Sequence, residues 1–250
     1  MLEHKKILLI GDLAIDRYHW GRCRDFNPEA PVPILDLDHS DEMPGMAGNV
    51  ETNLRAFGCE VNTLYGNRTS IKNRYMDQKT KRCLLRVDSD RRSDPVKAPN
   101  DLSMYDAIVI SDYNKGSVTV DLVEDIVDHA QCRIFMDTKM RDLAALEGVT
   151  LKINRKEWEA RTSMHSDTVV TLGEDGVMYG DLRFNAKAVD VHDVCGAGDT
   201  FLAAMTAGWL IYGYMERALE LGLAASAIAV RHPGTYTLSR ADVEAACASL

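Results

Sequence analysis

With 250 residues, 46% of them apolar and 27% charged, the chain is long enough to close one large core, which excludes a disordered protein. Its 29 basic residues are outnumbered by 38 acidic ones, and the formal charge of -9 excludes a chain that coats nucleic acid.

Charged residues at 1–6 lead directly into an apolar run, without the apolar region or small-residue cleavage site of a signal peptide. Residues 6–10 form a β-type run closed by Gly11-Asp12. Similar runs at 105–110, 132–136, 149–153 and 168–172 end at polar or glycine residues, as buried parallel strands do. Helix-compatible segments lie at 47–57 and 119–130, and a pair follows at 199–212 and 215–230. Strands alternating with helices predict an α/β sheet covered on both faces. Shorter alternating runs at 15–20, 32–38, 74–77 and 81–87 have only the 47–57 helix among them and predict a small antiparallel flap. Residues 91–100, rich in charge and proline, read as the connector back to the main domain. The longest apolar stretches, 201–212 and 221–230, are too short to span a bilayer, which predicts no membrane partner. Six scattered cysteines with no C-x-x-C pair predict reduced thiols in a cytoplasmic protein.

The stretch Asp193-Val194-Cys195-Gly196-Ala197-Gly198-Asp199-Thr200 opens a long small-residue helix. Backbone amides at a helix start, with the helix dipole behind them, form an anion cradle, and Gly196, Ala197 and Gly198 let that backbone approach a phosphate. Asp199 in the first turn is placed to take a proton from an attacking hydroxyl; equally, it is an ordinary helix-capping residue beside a glycine turn. Asn154 and Glu157, three residues apart after a strand, suit a hydrated Mg²⁺ or a simple capping box. Thr171-Leu172-Gly173-Glu174-Asp175-Gly176 admits a nucleotide or closes a hairpin. In the N-terminal half, Asp12, Asp16, Gly45 and Asn49 suit multi-hydroxyl recognition, or serve as turn and cap residues. Neither a Walker A pattern nor G-x-G-x-x-G occurs.

In this order, Gly45–Asn49, Asn154–Glu157, Thr171–Gly176 and Asp193–Thr200 resemble the motifs of the ribokinase-like (phosphofructokinase-B) carbohydrate kinases. Gly11–Tyr18, the run Asn27-Pro28-Glu29-Ala30-Pro31-Val32-Pro33, Ser111–Gly116 and Gly234-Thr235 are similar to the branch that phosphorylates D-glycero-D-manno-heptose 7-phosphate at its anomeric carbon. The resemblance extends from about Ile7 to about Ala246. It implies a three-layer α/β/α domain over residues 1–250, with a mainly parallel sheet and a β lid from segments about 13–40 and 72–90. It further implies Asp199 as general base and Gly196, Ala197 and Gly198 as the anion hole. Asn154 and Glu157 would organise Mg²⁺, and Asn154, Thr171, Gly173, Gly176, Gly234 and Thr235 would line the ATP site. Asp16 and Asn49, with Gly45 and Asp12 nearby, would hold the sugar, and Arg17 or Lys115 its phosphate. A monovalent cation and a homodimer through the lid are compatible with the resemblance. So are another sugar or nucleoside as acceptor, and a non-catalytic sugar- or nucleotide-binding module.

The chain departs from that pattern at four places. Met46 stands where a second glycine is usual, Cys195 where threonine is more frequent, and Lys152-Ile153 where the heptose branch tends to have Thr-Pro. Between Tyr65-Gly66 and Arg74 a helix and loop of the family are absent, so a shortened, stand-alone kinase unit is expected.

Overall fold

The computed structural model describes residues 2–140, 148–161 and 165–250. Its elements run β1 (Lys6–Phe26), β2 (Pro33–Met46), α1 (Ala47–Ala56), β3 (Glu60–Asp77), β4 (Cys83–Ser89), β5 (Ala107–Asp112) and α2 (Val120–His129). They continue as β6 (Arg133–Thr138), β7 (Val149–Asn154), α3 (Arg155–Glu159), β8 (Thr168–Thr171), β9 (Val177–Tyr179) and β10 (Leu182–Phe184), and end with α4 (Ala197–Tyr212), α5 (Met215–Ala229) and α6 (Arg240–Ala248).

Among the described residues the strands form one sheet in the order β10-β9-β8-β7-β6-β5-β1-β3-β4, with β2 paired to β1. Strands β8, β7, β6, β5, β1 and β3 are parallel neighbours, as their apolar runs require; β9, β10, β2 and β4 join antiparallel. Side-chain alternation along β1 sorts the core into two layers. Ile7 and Leu9 pack with apolar residues of α1, α4, α5 and α6, while Leu8 and Ile10 pack with α2. On that second face Val96 and Ala98 of the expected connector, with Leu102 and Tyr105 beyond it, add to the cover that α2 supplies. Helix α4 is buried continuously from Asp199 to Gly208, which is why its sequence is apolar and small all round.

The flap departs from expectation. Runs predicted as separate strands at 6–10 and 15–20 are one strand, and β3 joins an unpredicted sheet strand to the expected flap strand at 74–77. Strands β1 and β3 stay parallel from Lys6↔Glu60 to Gly21↔Asp77, so the flap is mixed rather than wholly antiparallel. The pairing breaks once: Gly66, Asn67 and Arg68 lie opposite Asp12 alone. This bulge sits where the family segment is absent. It is closed by Asn67 donating to Asp94 and by Ser93, whose hydroxyl accepts from Arg68 N and donates to Arg68 O. The sequence signal failed here because the absent segment would ordinarily separate the two halves of β3.

Candidate active site

The carboxyl ends of the parallel strands carry the chemistry-bearing residues, as open α/β sheets dictate. Asp12 lies within β1, just past Gly11 where its pairing with β5 stops; Asp112 ends β5, Thr138 ends β6, and Asn154 ends β7 directly beside Thr171 of β8. Asp199, on the first turn of α4, is 4% exposed. Tyr113 Oη donates to Asp199 Oδ1 at 2.7 Å, and Asn49 Nδ2 donates to Asp199 Oδ2 and to the Gly196 carbonyl, each at 3.3 Å. Burial raises the Asp199 carboxyl to about 6, with Asp137 adding to the rise and Tyr113, Lys152 and Asn49 opposing it. A carboxylate so tuned is half ionised at about pH 6 and mostly anionic at neutrality, so it can take a proton there.

The turn before α4 needs its glycine. Gly196 has φ +73°, and a Cβ there would lie 2.5 Å from Asn49 Nδ2 and 3.0 Å from Thr235 Cγ2. Asp193 ties this turn to the Gly234 loop by accepting from Cys195 N at 2.9 Å and Gly234 N at 3.0 Å. The Gly198 amide lies in the first turn, where helix geometry supplies no acceptor. A Cβ at Gly198 would come within 2.9 Å of Lys152 Nζ, so a buried ammonium adjoins the amide cradle. That ammonium pairs with Asp137 Oδ2 at 2.5 Å. The Ala197 amide is committed to the Val194 carbonyl at 3.3 Å. Burial, followed by the hydrogen bond to Asp193, pushes the Cys195 thiol up to about 11, so it stays a neutral thiol in the threonine position.

On the sugar side Asp16, Gly45 and Asn49 come together. Asp16 pairs with Arg74 at 2.9 Å, with side chains 4% and 12% exposed, and its Oδ2 fills the space that a Cβ at Gly45 would need. Met46 has φ +55° and ψ -133°, a backbone that glycine adopts at least cost, which explains the glycine usual at this place. Asp12 is buried, and its oxygens accept the amides of Tyr113, Lys115 and Ser117, so it shapes the loop after β5.

The two cations expected at the sugar's phosphate are each held by a carboxylate. Arg17 follows Asp16 along an extended strand and therefore occupies the opposite flap face, where it pairs with Glu42 at 2.5 Å. Lys115 pairs with Asp90 at 2.7 Å. The cations brought to the Asp16 face come from β3 and β4: Lys72 is directly opposite Asp16, and Arg74 is opposite both Tyr18 and Arg86. Strand alternation alone separates Arg17 from Asp16, whereas finding Lys72, Arg74, Tyr113, Asp137 and Lys139 required the register between distant segments.

The nucleotide-side residues are adjacent to one another. Thr171 Oγ1 donates to the Ile153 carbonyl, and the Gly173–Asp175 turn is held to α3 by Arg155, which pairs with Asp175. The same turn closes the hairpin between β8 and β9, and Gly176 (φ +90°) has no room for a Cβ against the Phe184 carbonyl. Gly234 and Thr235 lie across from Gly196, with the Thr235 hydroxyl buried and without a protein partner. Asn154 and Glu157 form the full capping box of α3, and Lys139 Nζ is 2.5 Å from Glu157 Oε1. Among the described residues no group of three His, Cys, Asp or Glu side chains could hold a metal by itself. The donor set fits Mg²⁺ only as a hydrated ion met through its waters, the usual form in phosphate sites.

The sequence profile described as pfkB family carbohydrate kinase matches residues 105–242, more than half of the chain. The bifunctional protein HldE of Sulfurimonas denitrificans is 29% identical over 310 positions, covering 98% of this chain and 65% of that protein. HldE of Wolinella succinogenes is 29% identical over 304 positions, covering 95% and 63%. The chain thus spans just under two thirds of these relatives, and the 310 aligned positions exceed its 250 residues by 60, so gaps are present as well. Phosphofructokinase-2 from Escherichia coli superposes with a TM-score of 0.71 at 17% identity, covering 98% of this chain and 99% of that one. Arabidopsis thaliana ribokinase, complexed with ribose and ATP, gives 0.69 at 14%, covering 98% and 99%. The fold is ribokinase-like. The chain belongs to the pfkB family of carbohydrate kinases, phosphotransferases that act on an alcohol group.

Proposed function

We propose that the protein transfers the γ-phosphoryl group of ATP to a sugar phosphate, with D-glycero-D-manno-heptose 7-phosphate, phosphorylated at O1, as the acceptor. The observation that carries this reading is the buried Asp199 carboxylate on the first turn of α4, beside the amide cradle and facing the Asp16–Asn49 side of the site. As the acceptor oxygen bonds to the γ-phosphorus, the bond from that phosphorus to the bridging oxygen of ADP breaks, and the acceptor proton passes to Asp199. The α4 amides and Lys152 stabilise the charge on the moving group. Glu157, with Asn154 beside it, would meet Mg²⁺ through the ion's waters, and the bound ion neutralises phosphate charge.

A phosphorylated acceptor is supported by the flap's inner face, where Lys72, Arg74 and Arg86 share one side of β3 and β4. Like charges directly opposite one another, as in Arg74↔Arg86, are unfavourable without anions. Asp16 and Asp88, which also stand opposite Lys72, supply two of these for the three cations, and a substrate phosphate would supply another. The heptose assignment is supported by the branch motifs and by the HldE relatives. All six cysteines are free thiols, which suits a cytoplasmic enzyme. No described helix is long and apolar enough to cross a membrane.

The test is incubation with ATP, Mg²⁺ and a panel of sugars and sugar phosphates, with the product identified by mass and by the position of the new ester. Heptose 7-phosphate should give the 1,7-bisphosphate. Asp199→Asn should bind ATP yet turn over slower by orders of magnitude, and undiminished turnover in that variant overturns the mechanism.

A further inference from the structure

We propose that Tyr113 is the positioning residue of the general base, its hydroxyl fixing the Asp199 carboxylate toward the acceptor and favouring its anionic form. The inference rests on the base reading above and extends it to a residue outside the helix that carries the base. Tyr113 Oη and Asp199 Oδ1 are 2.7 Å apart, the shorter of the hydrogen bonds to that carboxylate. The weaker contact from Asn49 leaves Oδ2 as the oxygen that an acceptor hydroxyl can take.

The loop that presents the tyrosine is anchored on both sides. Asp12 accepts the amides of Tyr113 and Lys115 at 2.9 Å and of Ser117 at 3.2 Å. Asp112 accepts Asn114 N at 2.7 Å and the Thr138 hydroxyl at 2.6 Å. The chain then turns through Asn114 at φ +56° and Gly116 at φ +104°. Two buried carboxylates thus build one loop, and its projecting side chain reaches the base.

Ammonium groups of Lys139 and Lys72 lie 5.1 and 5.7 Å from the centre of the Tyr113 ring. Burial, followed by the charge of Asp199, holds the phenol well above its ordinary range, so it remains a donor wherever the enzyme works. The groups facing Asp199 are Tyr113 from the loop after β5, Asn49 from α1, Asp137 from β6 and Lys152 from β7, with Lys139 beyond them. Of these, Tyr113 and Asn49 form hydrogen bonds to the carboxylate.

The decisive measurement is the titration of the Asp199 carboxyl by ¹³C NMR, its resonance assigned by loss in Asp199→Asn. In Tyr113→Phe the midpoint should rise by about one pH unit, the effect of removing one hydrogen bond to a charged group. The acid limb of kcat/KM should move with it, and high pH should restore most of the lost turnover. An unmoved midpoint, or a loss of turnover that is uniform in pH, overturns the tyrosine's role. If Tyr113→Phe fails to fold, 3-fluorotyrosine at this position supplies a stronger donor, and the midpoint should fall; no fall overturns the proposal. Retained turnover in Asp199→Asn overturns the base reading itself. An inactive Asp199→Asn with an unmoved midpoint in Tyr113→Phe overturns only the positioning role.

Discussion

Replacing Arg74 by methionine probes the flap where it meets the sugar side. The substitution keeps a long apolar stem over the Tyr18 ring, now 5.6 Å from the guanidinium carbon, and removes only the charge. Asp16 then keeps a carboxylate at 4% exposure without its cation. Breaking a buried pair in this way costs about 3–5 kcal/mol. The lower end applies, because Arg74 Nε is buried without an acceptor and part of its desolvation is already uncompensated. At roughly 2–4 °C per kcal/mol for a domain of this size, the melting temperature should fall by about 6–12 °C. Calorimetry or circular-dichroism melts of Arg74→Met, Asp16→Asn and the double variant form the assay. The double variant should recover most of the loss, since no charge is left stranded. A single variant that melts with the wild type, or a double variant no better than the single, would refute the reasoning.

Activity should follow ionisation of Asp199, falling below about pH 6 and reaching about a tenth of its plateau one unit lower, as read from kcat/KM against pH. The folded-state value is raised above the ordinary 3.8, so the native state holds this proton more tightly than the unfolded chain. Stability is therefore lost as pH rises from about 4 to about 6. Asp199→Asn should accordingly melt higher than the wild type at pH 7, and the gap should close toward pH 4. Gly196→Ala should lower kcat on the order of a hundredfold, because the added methyl displaces Asn49 from Asp199 and disturbs the cradle. Its left-handed backbone should also cost about 1–2 kcal/mol in denaturant melts.

Elements defined by burial were legible in the sequence. The 6–10 run, the 105–110 run, which forms β5 two residues further on, and the α4 helix declare themselves because positions buried on every side are mostly apolar. The sheet half of β3 was missed: Glu60-Val61-Asn62-Thr63 alternates like a flap strand, and the helix that should follow it is absent. The hairpin strands β9 and β10 are too short for any periodicity, and α6 is marked mainly by its Ser239–Asp242 capping box. In the site, residues that act through their own backbone or a nearby cap, such as Gly196, Asp199 and Asn154, could be read locally. Arg74 and Tyr113 could not, since they reach Asp16 and Asp199 across 58 and 86 residues of sequence.

Because β1 and β3 run unbroken from the sheet into the flap, no hinge loop separates the two parts. The flap is a cantilevered ribbon, and any closing over the acceptor must be flexure of paired strands. The compliant spot is the stretch where Gly66, Asn67 and Arg68 face Asp12. Asp12 also grips the loop that carries Tyr113, so bending of the ribbon at its root is mechanically joined to the seat of the base.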